Sequence, residues 1–227
     1  MQDWQLIERN LKYKAHRVRV YEDELIKPSG EKVYYDFVEN RNGAGVLLID
    51  DEGKLIFVKQ YRNSINREDI EIPAGCAELT DFHDSDNGSD KESNINTRKN
   101  ESPSASAIRR NSPGGNGVGE SREDFENPEN PFYKCAIREA EEETGLIPTK
   151  LTFVNYIVAS VGLFSERTAI YIGTDLKPGT LNRDSDEYIE IIRLTPDEAL
   201  EYIKNGKIVD SKTVISIMHY MLCNKLN

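Results

Sequence analysis

An α/β fold is predicted by three features of this chain of 227 residues. The first third holds strand-length apolar runs separated by Gly- and Asp-containing turns. The segment 131–144 has helical spacing and helical end signals. Further strand runs and two more helices then alternate to the C-terminus.

The elements follow in order. Arg17-Val18-Arg19-Val20-Tyr21 alternates, Pro28-Ser29-Gly30 turns, and Lys32-Val33-Tyr34-Tyr35-Asp36-Phe37-Val38 returns, which predicts a hairpin. Gly45-Val46-Leu47-Leu48-Ile49 and Lys54-Leu55-Ile56-Phe57-Val58-Lys59-Gln60-Tyr61 flank the turn Asp50-Asp51-Glu52-Gly53 and read as a buried pair of strands. Ile70-Glu71-Ile72 is a short strand entering Pro73-Ala74-Gly75. A helix over 131–144 has Pro131 at its first position and Gly145 past its end. Strands are predicted over 151–160, 169–174 and 188–193. Thr195-Pro196-Asp197-Glu198 is a capping box opening a helix to about Asn205, and Ser211 begins a last amphipathic helix.

Between them the composition breaks. Residues 81–130 contain only seven apolar side chains among Asn, Ser, Asp and Gly, and carry six basic against eleven acidic groups. Such a stretch buries too little apolar surface to offset its ordering entropy, so it reads as a largely disordered insertion. Ser112-Pro113-Gly114-Gly115-Asn116-Gly117 within it lacks the flanking strand and helix of a phosphate cradle and reads as linker.

The net charge is −11, a poor match to nucleic acid, which is bound mainly through Lys and Arg. No run approaches the ~20 apolar residues of a membrane span. Met1-Gln2-Asp3-Trp4-Gln5 lacks a signal peptide's basic and apolar regions. Cys76, Cys135 and Cys223 have no metal-ligand spacing and read as free thiols. A soluble cytoplasmic protein with no membrane or nucleic-acid partner is expected.

The chemistry concentrates in Arg138-Glu139-Ala140-Glu141-Glu142-Glu143-Thr144-Gly145-Leu146. At about 100° per residue, Glu142, Glu139 and Glu143 share an arc of about 100°, with Tyr133, Ile137 and Ala140 on an apolar side. Like charges at this spacing destabilise a helix unless something neutralises them, and a divalent cation does so. The run fits R-E-x-x-E-E-x-G followed by an aliphatic residue, and so resembles the core of the Nudix box. Gly75 resembles the box's leading glycine. The acid expected six residues later is Asp81, and the 50-residue segment then intervenes. Counting back from Arg138 places Asn130, with Glu129 beside it, at the same box position, so the box is split in its loop. Loops accept long insertions because closure entropy grows slowly with length.

Further features resemble the ADP-ribose pyrophosphatase branch: Gln60-Tyr61-Arg62, Glu71-Ile72-Pro73-Ala74-Gly75, Ser165-Glu166-Arg167-Thr168 after Ser160-Val161-Gly162, and Asp186-Glu187-Tyr188-Ile189-Glu190. Relatives carry Ser-Pro-Gly where Val161 stands here. The resemblance implies an α/β/α sandwich with a mixed sheet over residues 43–227, interrupted at 81–130. An N-terminal β region, 1–42, would precede it, mediating a homodimer and helping to bind adenine through Tyr21, Tyr34, Tyr35 or Phe37. It implies Mg²⁺, or Mn²⁺, held by Glu139, Glu143, Glu142 and the Ala74 carbonyl. Arg138 would hold the glutamates in place. Arg62 would meet the substrate's phosphates and Glu166 its terminal ribose and metals. Glu187 would be the base, with Asp184, Asp186, Glu190 or a box glutamate such as Glu142 as alternatives. The implied reaction is hydrolysis of ADP-ribose to AMP and ribose 5-phosphate. Another nucleoside diphosphate sugar such as GDP-mannose, or an ADP-ribose sensor without catalysis, are the competing readings.

A general base contributes about 10²–10⁴-fold to turnover. Glu187→Gln is therefore expected to lower kcat by that order while leaving metal affinity, measured by calorimetry, unchanged. Near-normal turnover would remove Glu187 from the role.

Overall fold

The computed structural model describes residues 3–15, 18–77, 121–182 and 188–225, with Lys225 described by its backbone alone. The chain forms ten strands and four helices among these residues. A three-stranded antiparallel sheet comes first: β1 (Gln5–Lys14), β2 (Arg19–Ile26) and β3 (Lys32–Glu39), in that spatial order. The predicted hairpin is β2–β3. The sequence reading missed β1, whose pairing with β2 slips twice, between Leu6 and Glu8 and between Leu11 and Tyr13. Those slips break the two-residue alternation by which a strand is recognised.

The larger sheet contains β4 (Gly43–Ile49), β5 (Leu55–Arg62), β6 (Arg67–Glu71), β7 (Ala74–Cys76), β8 (Leu146–Ile157), β9 (Thr168–Pro178) and β10 (Glu190–Leu194). Its main order is β10-β5-β4-β9-β8, with β6 on β5 and β7 on β4. The β4–β9 pair is parallel and the other pairs are antiparallel, so the sheet is mixed. The strand after Gly145 was expected only from Leu151; β8 instead starts at Leu146 and includes Pro148. An edge strand tolerates a proline, and β8 is at the edge.

One irregularity positions everything that follows. β4 meets β5 only at Leu48↔Ile56 and Ile49↔Leu55. The other end of β4, Gly43 to Gly45, pairs with β7, while the far end of β5 pairs with β6. The two central strands thus splay, and the turn Glu71–Gly75 fills the fork.

Helices cover both faces. α1 (Arg122–Glu126) and α2 (Pro131–Thr144) lie on one side, over Val46, Leu48, Ile56, Phe153 and Tyr171. On the other, α3 (Pro196–Lys204) and α4 (Ser211–Lys225) cover Leu47, Leu55, Phe57, Ile170 and Leu194. Alternation along β4 sends Val46 and Leu48 one way and Leu47 the other, which is why two cores form. The capping box at Thr195 and the end signals of α2 are formed: Asn130 accepts from the Phe132 amide, Pro131 opens the helix, and Gly145 closes it at φ 70°.

α1 lies inside the span read as insertion. Ser121 and Asp124 form a reciprocal capping box, and Phe125 is buried. Its ring stacks on Phe153 at 4.3 Å between centroids, and its carbonyl accepts from the Tyr171 hydroxyl at 2.9 Å. One phenylalanine in ten polar residues was too sparse a signal to mark a helix. The part of the insertion from 81 to 120 lies outside the described residues.

Truncating a buried phenylalanine costs about 3–5 kcal/mol. Phe125→Ala is expected to lose that much in denaturant unfolding. Deleting 81–120 while keeping Ser121–Asn130 is expected to leave the midpoint in place, whereas a deletion running through Glu126 should reproduce the Phe125 loss.

Candidate active site

α2 lies across the fork, and its second half presents carboxylates to the turn below. Glu139 is 9% exposed and Glu143 4%. Phe132, Cys135 and Ala136 are buried one and two turns earlier. At about 100° per residue these three fall on the same arc as Glu139 and Glu143. The expected apolar side is present, with Ala140 in the core and Tyr133 and Ile137 packed against it, but the acidic arc is itself apolar in the first half of the helix. The helix changes character along its length, which a projection down its axis cannot show.

The turn receives the carboxylates closely. The Ala74 amide donates to Glu143 Oε2 at 3.3 Å. A Cβ built on Gly75 would overlap the Glu139 carboxylate, and one on Gly43 would lie 2.6 Å from the Gly75 carbonyl oxygen. Gly43 is thus required by the close approach of backbone, and Gly75 leaves room for the Glu139 carboxylate. Cys135 donates from Sγ to that same Gly75 oxygen at 3.4 Å. Burial, with the negative charge of Glu139, pushes the Cys135 thiol up to about 12, so it stays protonated.

Arg138 ties the cluster together. Its Nη1 donates to Glu142 Oε2 and its Nη2 lies against Glu139 Oε1, each at 2.6 Å. Nη2 also donates to the Cys76 carbonyl at 3.0 Å. Burial works against its charge, but Glu139 and Glu142 outweigh it and raise its pKa. Glu142 is more exposed than its two neighbours, and its backbone carbonyl accepts from Asn182. Among the described residues no three His, Cys, Asp or Glu side chains are grouped as a complete cation cage.

Arg62 comes from the end of β5. Its Nε and Nη2 donate to both oxygens of Glu71, at 2.5 and 2.8 Å. That hydrogen bond is the main reason its pKa is raised, and Glu143 adds to the effect. Glu71, 3% exposed, also accepts from Lys212 Nζ at 2.7 Å. Burial alone would raise the Glu71 pKa; Arg62 and Lys212 reverse this and lower it. Lys212 is 141 positions from Glu71, so nothing local in the sequence marks the pair.

Glu166 sits where the N-terminal sheet meets β9. Asn40 Nδ2 donates to its Oε2 at 2.6 Å, and Thr168 Oγ1 donates to its Oε1 at 3.3 Å. Two backbone bonds hold the loop before it to β3, from Val38 to Leu163 and from Ser165 to Val38. Among the proposed adenine contacts, Tyr21 and Phe37 stack on each other at 5.0 Å beneath Arg9, while Tyr34 and Tyr35 are exposed. Glu187, Asp184 and Asp186 lie outside the described residues. Glu190, at the start of β10, pairs with Lys59 at 3.3 Å. Glu129 is paired with Lys134 at 2.6 Å on the surface, and Asn130 caps α2.

The NUDIX domain family matches residues 97–214, just over half of the chain. A methanol dehydrogenase activator of Bacillus methanolicus is 28% identical over 207 residues, covering 90% of this chain and 85% of that one. An ADP-ribose pyrophosphatase of Bacillus subtilis (strain 168) is 26% identical over the same length and shares. A crystal structure of an ADP compounds hydrolase superposes with a TM-score of 0.67 at 16% identity, covering 99% of this chain and 96% of that one.

The Gly75 geometry separates stability from function. The atom a new Cβ would meet is the far end of the Glu139 side chain, which can swing aside. Gly75→Ala is thus expected to shift the melting temperature little while displacing Glu139. A misplacement of about 1 Å can cost about 10²-fold in rate. Turnover and thermal melting measured together check this; loss of both in proportion would contradict it.

Proposed function

The chain belongs to the Nudix family, and from that premise we propose that this hydrolase cleaves the diphosphate of ADP-ribose, or of a related nucleoside diphosphate sugar, releasing AMP and ribose 5-phosphate with Mg²⁺ or Mn²⁺. The observation that carries the proposal is the convergence of two buried carboxylates, Glu139 and Glu143, on the Ala74–Gly75 turn. The similarity to the ADP-ribose pyrophosphatase of Bacillus subtilis supports the substrate class.

The donor set fits a hard divalent cation: carboxylates and backbone oxygen, with no thiolate or imidazole in the cluster. Glu139, Glu143, Glu142 and the Ala74 carbonyl would hold it. Such oxygen donors suit Mg²⁺, which takes much of its coordination from water and substrate phosphates. When bound, the cation supplies charge neutralisation of the diphosphate and activation of the attacking water.

The chain's own residues do the rest. Arg138 holds Glu139 and Glu142 apart from each other's charge and fixes both to the Cys76 backbone. Arg62 keeps Nη1 free of the Glu71 fork for the substrate's phosphates; a guanidinium suits them because it donates in pairs. Glu166 meets the terminal ribose, held by Asn40 and Thr168. Glu187 takes the water's proton.

The reading extends to the assembly. Residues 1–42 form the β region that dimerises, and 43–227 the hydrolase domain, interrupted by an insertion whose end at 121–130 folds onto the domain core. Leu11 and Tyr35 on the three-stranded sheet, and Trp4 just before it, are exposed, which supports a partner on this region. A homodimer in the cytoplasm, without nucleic-acid or membrane partners, accords with the charge of −11.

The test is phosphate release, coupled to a phosphatase, from ADP-ribose, GDP-mannose, UDP-glucose, NADH and dGTP with Mg²⁺. ADP-ribose is expected to be preferred. Chelation should abolish turnover, and Glu143→Gln should lower it by about a hundredfold or more, the scale on which one charge-stabilising group acts. Preference for another sugar would move the substrate. No cleavage with ADP-ribose still bound would favour the sensor.

A further inference from the structure

The first turn of α4 is bolted to the turn that forms the floor of the site. Thr213, wholly buried, accepts from the Ile72 amide through Oγ1 at 2.9 Å and donates to Asp210 at 2.6 Å. One residue earlier, Lys212 reaches Glu71 Oε2 at 2.7 Å and Asp210 Oδ1 at 2.8 Å. Its side chain is only 18% exposed. Burial opposes its charge, yet Asp210 and Glu71 keep it protonated.

We infer that Lys212 is a positioning residue for Arg62, acting through Glu71. This rests on the reading that Arg62 meets the diphosphate. The Glu71 carboxylate turns on a terminal torsion that is intrinsically broad. Two cations define its plane: Arg62 takes both oxygens from one side and Lys212 takes Oε2 from another. Arg62 can hold a bidentate pose only while that plane is fixed. With the plane free, the guanidinium swivels and its remaining N–H groups lose their aim. The first turn of α4 thereby sets how Arg62 meets an anion.

A double-mutant cycle separates this from mere stabilisation. Lys212→Met is expected to raise KM for ADP-ribose about tenfold with kcat nearly unchanged, the signature of lost ground-state and transition-state binding alike. In an Arg62→Ala background the same change should alter KM by less than about twofold, because the two act as one unit. Glu71→Gln should repeat the Lys212→Met result and serves if that variant does not fold. Equal factors in both backgrounds, or a loss confined to kcat, would overturn the proposal. Hydrogen exchange of the Arg62 Nε–H, followed by NMR without substrate, is independent of turnover. Lys212→Met should speed it about tenfold or more, as an opened hydrogen bond does. If the wild type cleaves nothing, the functional reading fails, and unchanged exchange would then also end the coupling.

Discussion

Everything in this molecule depends on bringing carboxylates into a place that repels them. α2 ends in Glu139, Glu141, Glu142 and Glu143, with no basic residue in its last turn. Like charges at this spacing, at the negative end of a helix dipole, destabilise the helix locally. Two of the four are also buried. The helix persists because Phe132, Cys135, Ala136 and Ala140 anchor it over the sheet, and because Arg138 answers two of the charges at 2.6 Å. A fold that holds such a conflict in place is expected to do so where it acts.

The fork in the sheet is the matching constraint. If β4 and β5 paired along their whole length, no gap would exist for the Glu71–Gly75 turn. The glycines at 43 and 75 are the local expression of that crowding, one facing backbone and the other a carboxylate. Arg62 and Lys212 converge on Glu71 at the rim of the same fork, so the cationic and anionic parts of the site share one piece of chain.

Legibility followed the range of the interactions. The caps of α2 and α3, the turn between β4 and β5 and the acidic frame of α2 are local and could be read directly. The strand β1 hid because its slips destroy alternation, and α1 because one phenylalanine carries it. Lys212 could not be found from the sequence: a lysine opening an amphipathic helix has no mark showing that its partner is 141 residues away. Asn40 is the same case, at 126 residues from Glu166.

The split box is physically reasonable for the same reason. Its two halves are pinned independently. Before the break, the Ala77 amide donates to the Asn42 carbonyl, and Ala77 packs into the core that α2 covers. After it, Phe125 is fixed between Phe153 and Phe132, with Tyr171 on its carbonyl. The cost of closing a loop between fixed ends rises only logarithmically with length, each doubling adding about 0.6 kcal/mol. Length between Ala77 and Ser121 is therefore a weak variable, and the pins are strong ones. The geometry of Glu139 against Gly75 is held by contacts on either side of the insertion.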